Sequence, residues 1–130
     1  MKNSKSTQNG IIKVAIIDDE PEIISMLEKY LSREGNYQIT TYTNPIHAIS
    51  SISNNIDLVL LDIMMPQMNG IDVLPKLLEK NPDIKVLMMT AYSTLDKVLN
   101  AHRHGAQDYI MKPFSSLSEL SKKIQDVMKR

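Results

Sequence analysis

Ile56-Asp57-Leu58-Val59-Leu60-Leu61-Asp62-Ile63-Met64-Met65-Pro66-Gln67-Met68-Asn69-Gly70 is the stretch on which the fold turns. Residues 56–61 are apolar apart from Asp57, and a run that does not alternate predicts a strand covered on both faces, the central one of a parallel sheet. Pro66 and Asn69-Gly70 mark a loop. A helix follows from about Gly70, with Ile71, Leu74, Leu77 and Leu78 at helical spacing. Pro75 falls at or just beyond the turn where a missing N–H is harmless, which predicts a late start or a slight kink. Asp62 stands where the strand gives way to the loop.

The same strand, loop and helix unit recurs on either side. Residues 12–17 form a β-branched run that stops at Asp18; Pro21 suits the first turn of a helix carrying Ile23, Ile24, Leu27, Tyr30 and Leu31, with Gly35 as its stop. Residues 38–42 read as a short strand, and Asn44-Pro45 opens a helix with Ala48, Ile49 and Ile52 on one side. A fourth strand at 85–89 ends at Thr90. After it a helix from about Ser93 or Thr94 to Arg103 shows Leu95, Val98, Leu99 and Ala101, with Gly105 as its stop. Residues 109–111 form a brief fifth strand. Ser116-Leu117-Ser118-Glu119 has the spacing of a capping box and opens a last helix through Leu120, Ile124, Val127 and Met128. Five such units predict an α/β fold, a doubly wound parallel sheet of five strands flanked by five helices. Residues 1–10 are polar and predict a disordered tail, leaving 11–130 as one domain.

Composition narrows the function classes. Fifteen basic residues balance fifteen acidic ones, so the chain lacks the electrostatic footprint of a nucleic-acid binder. It has no cysteine, which removes disulfide and thiol chemistry and is compatible with a reducing cytosol. No stretch approaches the ~18 apolar residues of a membrane span, and residues 1–10 lack the apolar core of a secretory signal. These features predict a cytoplasmic protein that binds neither nucleic acid nor membrane directly.

If the runs are parallel strands, Asp18, Asp19, Asp62, Thr90 and Lys112 meet at the rim where open α/β sheets bind ligands. Each has a plain alternative taken singly: Asp caps the helix after a strand, Lys112 is a surface lysine, and Thr90 a β-branched strand end. Together they form a set. Adjacent carboxylates repel unless a cation stands between them, and hard oxygen donors with no suitably spaced His or Cys favour Mg²⁺ or Mn²⁺. A carboxylate can act as nucleophile and become an acyl phosphate. Phosphoryl transfer then asks chiefly for positioning and charge neutralisation, which Lys112 and the Thr90 hydroxyl can supply.

The motifs Ile16-Ile17-Asp18-Asp19-Glu20-Pro21, Leu60-Leu61-Asp62-Ile63-Met64-Met65-Pro66-x-Met68-x-Gly70, Met89-Thr90-Ala91 and Gly105-Ala106-Gln107-Asp108-Tyr109-Ile110-Met111-Lys112-Pro113-Phe114 resemble, in order and spacing, the CheY-like receiver domains of two-component response regulators. The resemblance runs from about Ile11 to the C-terminus and implies a flavodoxin-like sheet of strand order 2-1-3-4-5. It implies Asp62 as phosphoacceptor, with a sensor histidine kinase or histidine phosphotransfer protein as donor. Asp19 would ligate Mg²⁺ directly, Asp18 through water and Met64 through its backbone carbonyl. Thr90 and Tyr109 would form a switch that re-shapes the face of the fourth helix, fifth strand and last helix for a downstream protein target or an output domain. Such a domain catalyses only its own phosphorylation and dephosphorylation and is not otherwise an enzyme. The Lys112–Pro113 bond would be cis, and bulky Met64 and Tyr92 imply slow loss of the phosphate.

Two other readings fit less well. A haloacid-dehalogenase-like phosphatase wants an acid two residues after its nucleophile, where Met64 stands, and a flavodoxin-like cofactor site would be repelled by Asp18-Asp19-Glu20. His102 and His104, at i and i+2, do not share a helix face. The methionines Met88, Met89 and Met111 belong to strand patterns and predict core positions.

Overall fold

The computed structural model describes residues 10–90, 105–112, 114 and 116–130. Most of the predicted tail, the helix expected at 93–103, Tyr92, the two histidines of that segment and the bond to Pro113 lie outside the described residues. The strands are β1 (Ile12–Ile17), β2 (Tyr37–Tyr42), β3 (Leu58–Asp62), β4 (Lys85–Thr90) and β5 (Asp108–Met111). The helices are α1 (Pro21–Glu34), α2 (Pro45–Ser51), α3 (Gly70–Lys80) and α4 (Leu117–Lys129), four among the described residues where five were expected along the whole chain. All neighbouring strands are parallel, in the order β2-β1-β3-β4-β5.

Alternation along each strand builds two cores. Ala15, Ile17, Val59, Leu61, Val86 and Met88 pack with Ala48 of α2 and Val73, Leu74 and Leu77 of α3. Val14, Ile16, Leu58, Leu60, Leu87, Met89 and Ile110 pack on the opposite face with Ile24, Leu27 and Leu31 of α1 and Leu120, Ile124 and Val127 of α4. Every side chain of β3 is therefore buried, which is why its sequence does not alternate. Met88 and Met89 are core residues. Met111 is only half-buried, because β5 closes the edge of the sheet and pairs with β4 alone.

Local chemistry sets the boundaries. Helix α3 begins at Gly70, without the late start suggested by Pro75, because Asn69 caps it: its Oδ1 accepts from Ile71 N at 2.7 Å. Pro75 lies inside the helix on its exposed side, where the carbonyl it leaves unbonded can be solvated. Strand β3 starts later than the apolar run suggests. Asp57 precedes it and serves as a bracket: its Oδ2 accepts from Lys13 N at 2.9 Å and its carbonyl from Lys85 N at 3.2 Å. At the far end of the chain Ser116 Oγ accepts from Glu119 N at 3.1 Å. A Ser116→Ala variant is expected to lose about 1 kcal/mol of stability, visible as a lower urea midpoint with unchanged slope. Among the described residues no helix is long and apolar enough to cross a membrane.

Candidate functional site

Register brings the chemistry together. Ile17 pairs with Leu61, Asp62 with Met89, and Thr90 with Met111, so the exits of β1, β3, β4 and β5 stand at one level. Asp18 follows Ile17, Lys112 follows Met111, and both continue the alternation of Ile16 and Ile110 toward the α1–α4 side. Lys112 is anchored by its backbone N–H, which donates to Thr90 O at 2.6 Å. Beneath Asp62 the loop folds back tightly, with Gly70 N donating to Ile63 O at 2.7 Å.

Asp18 and Thr90 are buried, and Asp62 is 4% exposed. Lys112 Nζ donates to Asp18 Oδ2 at 3.0 Å, Glu20 Oε1 at 3.0 Å and Asp62 Oδ1 at 3.3 Å. Asp18 Oδ1 accepts from Glu20 N at 2.9 Å. One ammonium thus faces three carboxylates, and the balance is acidic. Burial, together with the charge of Asp18 and a smaller contribution from Asp19, outweighs Lys112 and pushes the Asp62 carboxyl from 3.8 up to about 7. Burial also raises Asp18, against the Glu20 N–H and Lys112. Burial alone would lower Lys112; its bond to Asp18 and the charges of Asp18 and Asp62 outweigh that and hold it well above its ordinary value.

Carboxylate oxygens of Asp18, Glu20 and Asp62 lie within 4.8 Å of one another. A cluster of hard oxygen donors in which the two buried carboxyls, Asp18 and Asp62, are both raised fits a divalent cation of the Mg²⁺ or Mn²⁺ type. Asp19, expected to be the direct ligand, is half-buried and adds to the field at Asp62, yet it is not a member of this group. Glu20 is, although it was expected to have no role beyond its motif. The Met64 side chain is exposed, which leaves its expected part to the backbone. Tyr109 stands at the surface with Lys123 Nζ 5.3 Å from its ring centre. Lys123 also pairs with Asp108 at 3.3 Å, and Asp108 is lowered because the Tyr109 N–H, Lys123 and Arg130 outweigh its burial.

The comparisons agree with this architecture. The family model of the response regulator receiver domain matches residues 14–125. The response regulator SaeR of Staphylococcus aureus (strain USA300) is 39% identical over 115 residues, 88% of this chain and 50% of the relative. The chain thus spans about half the length of the curated relatives it matches. The response regulator receiver domain protein (CheY-like) from Methanospirillum hungatei JF-1 superposes with a TM-score of 0.81 at 28% identity, covering 92% of this chain and 94% of that one. The receiver domain protein from Clostridium thermocellum gives 0.83 at 28% identity, with 92% and 96% covered.

Proposed function

The chain belongs to the response regulator receiver domain family of two-component signalling, and from that premise we propose that Asp62 accepts a phosphoryl group from a phosphohistidine on a sensor histidine kinase or histidine phosphotransfer protein. The observation that carries this reading is the buried Asp62 carboxylate at the exit of the central strand, 3.3 Å from the Lys112 ammonium and beside buried Asp18. An Asp62 oxygen attacks phosphorus, the P–N bond of the donor breaks, and the imidazole leaves with that electron pair and takes a proton. Return to the start is hydrolysis: water adds to phosphorus and the carboxylate is restored with release of inorganic phosphate. In both directions the chain acts only on itself.

Asp18, Asp19, Asp62 and the Met64 carbonyl would hold the Mg²⁺ or Mn²⁺ ion, which when bound neutralises charge on the phosphoryl oxygens. Lys112 neutralises another oxygen, and the Thr90 hydroxyl donates to a third. Thr90 and Tyr109 form the switch: the hydroxyl is drawn to the phosphoryl group and the ring turns inward, biasing a two-state equilibrium of the face that holds β5, α4 and the helix expected at 93–103. Residues 11–130 are the receiver and 1–10 a tail. The partner that reads the face is a downstream protein or an output domain, and the setting is cytoplasmic.

Acetyl phosphate with Mg²⁺, followed by intact mass, tests this directly. The protein is expected to gain one phosphoryl group that is lost with hydroxylamine, while Asp62→Ala gains none and a chelator abolishes the gain. Undiminished phosphorylation of Asp62→Ala would refute the assignment.

A further inference from the structure

An ammonium has three N–H donors, and in Lys112 each has its own carboxylate: Asp18, Glu20 and Asp62. The three acceptors are unequal. Side chains of Asp18 and Asp62 are 0% and 6% exposed, whereas that of Glu20 is 55% exposed. Glu20 occupies the N-cap of α1 but makes no side-chain cap bond there. Its carboxylate reaches instead to a lysine 92 positions away in the chain. The backbone from which it reaches is fixed by Asp18, which accepts from Glu20 N.

We infer that Glu20 is a positioning residue for Lys112, holding the ammonium at the mouth of the site when Asp18 and Asp62 turn to a divalent cation. The inference rests on the metal-dependent reading of Asp62 given above. Lys112 and a cation compete for the same two carboxylates, Asp18 and Asp62. As those two carboxylates are taken, Lys112 loses two of its three acceptors, and a partly buried ammonium left without partners is costly. Glu20 is the acceptor that remains. Being largely solvated already, it keeps the ammonium beside Asp62 at little further desolvation cost. Without it Lys112 stays on Asp18 and Asp62, and the cation has to displace it fully.

Mg²⁺ affinity measured by calorimetry without a phosphodonor tests this on the whole chain. Glu20→Gln is expected to weaken Mg²⁺ binding roughly two- to fivefold, the range available to a pair with one exposed member. Glu20→Asp, which keeps the charge but falls one methylene short of Lys112, is expected to weaken it to the same extent. In a Lys112→Met background Glu20→Gln is expected to change it by less than half that factor on a logarithmic scale. Position 20 is exposed, so the first two variants keep the test alive should Lys112→Met fail to fold. Wild-type affinity in Glu20→Asp, or an undiminished Glu20→Gln effect in the Lys112→Met background, would overturn the inference while leaving the phosphoacceptor reading intact, since either result means that Glu20 acts by charge or ligation alone. Absence of Mg²⁺ binding by the unaltered protein would overturn both.

Discussion

Gly70→Ala is expected to be among the most damaging single substitutions in this chain, although alanine is the better helix former. A Cβ at position 70 would lie 2.2 Å from Asp62 O, 2.9 Å from Ile63 Cα and 3.0 Å from Asp62 C. All three atoms are backbone, so no side chain can swing away. Helix propensity alone predicts a gain of about 1 kcal/mol. Overpacking against backbone works the other way and costs typically ~1–3 kcal/mol, more where nothing can yield. The clash wins, because relief requires the exit of β3 to separate from the first turn of α3 and break the Gly70 N to Ile63 O bond. The displaced residue is then Asp62 itself. Urea unfolding should show a loss of at least ~3 kcal/mol, and any folded fraction should phosphorylate slowly. A stability equal to wild type would show that the close approach does not exist.

Asp62→Asn is expected to stabilise the metal-free protein at pH 8 and to leave it nearly unchanged at pH 4. The folded Asp62 carboxyl ionises near 7 against a reference of 3.8, so between those values the native state holds more protons than the unfolded chain. Native stability therefore falls as pH rises through this window and levels off above it. At one pKa unit per ~1.4 kcal/mol the difference amounts to a few kcal/mol. Asn removes the charge, and with it this dependence on pH; Asp18, raised chiefly by its own burial, is the same in both proteins. Mg²⁺ should rescue wild type, with a larger rise in melting temperature at pH 8 than at pH 6. Thermal melts of both proteins with and without Mg²⁺ across this range check the sign. A wild type whose stability climbs relative to Asp62→Asn between pH 4 and 7 contradicts it.

The double covering of β3 and the meeting of Asp18, Asp62 and Lys112 were legible because strand exits are marked by abrupt changes of polarity, whereas the order of strands followed only from the family resemblance. Asp18 ends the run Val14-Ala15-Ile16-Ile17, and Asp62 ends Leu58-Val59-Leu60-Leu61. What escaped the sequence was direction beyond those exits. The motif implied Asp19 as the direct ligand and Asp18 as one through water and left Glu20 without a part, but the chain bends at Asp19 and Glu20 N bonds back to Asp18 Oδ1, so it is the first and third acids whose carboxylates gather with that of Asp62. The bond from Glu20 to Lys112 joins residues far apart in the chain, and no local pattern announces it. Pro75 misled in part for the opposite reason: a local rule offered a late start or a slight kink, and the Asn69 cap with an exposed position for the ring overrode the late start. Met111 was placed too deep because periodicity does not say which strand lies at an edge.

The alternation of β-strand residues between two cores has a consequence for what a covalent mark on Asp62 would do mechanically. Asp62 and its register neighbour Met89 belong to the side packed on α1 and α4, whereas Thr90 falls in step with Val86 and Met88 on the side packed on α2 and α3. A phosphoryl group gripped at once by Lys112 and Thr90 would therefore straddle the lip of the sheet like a staple through two sheets of paper. Amide protons on both sides would then slow their exchange together, and the two halves of the molecule would come to open as one.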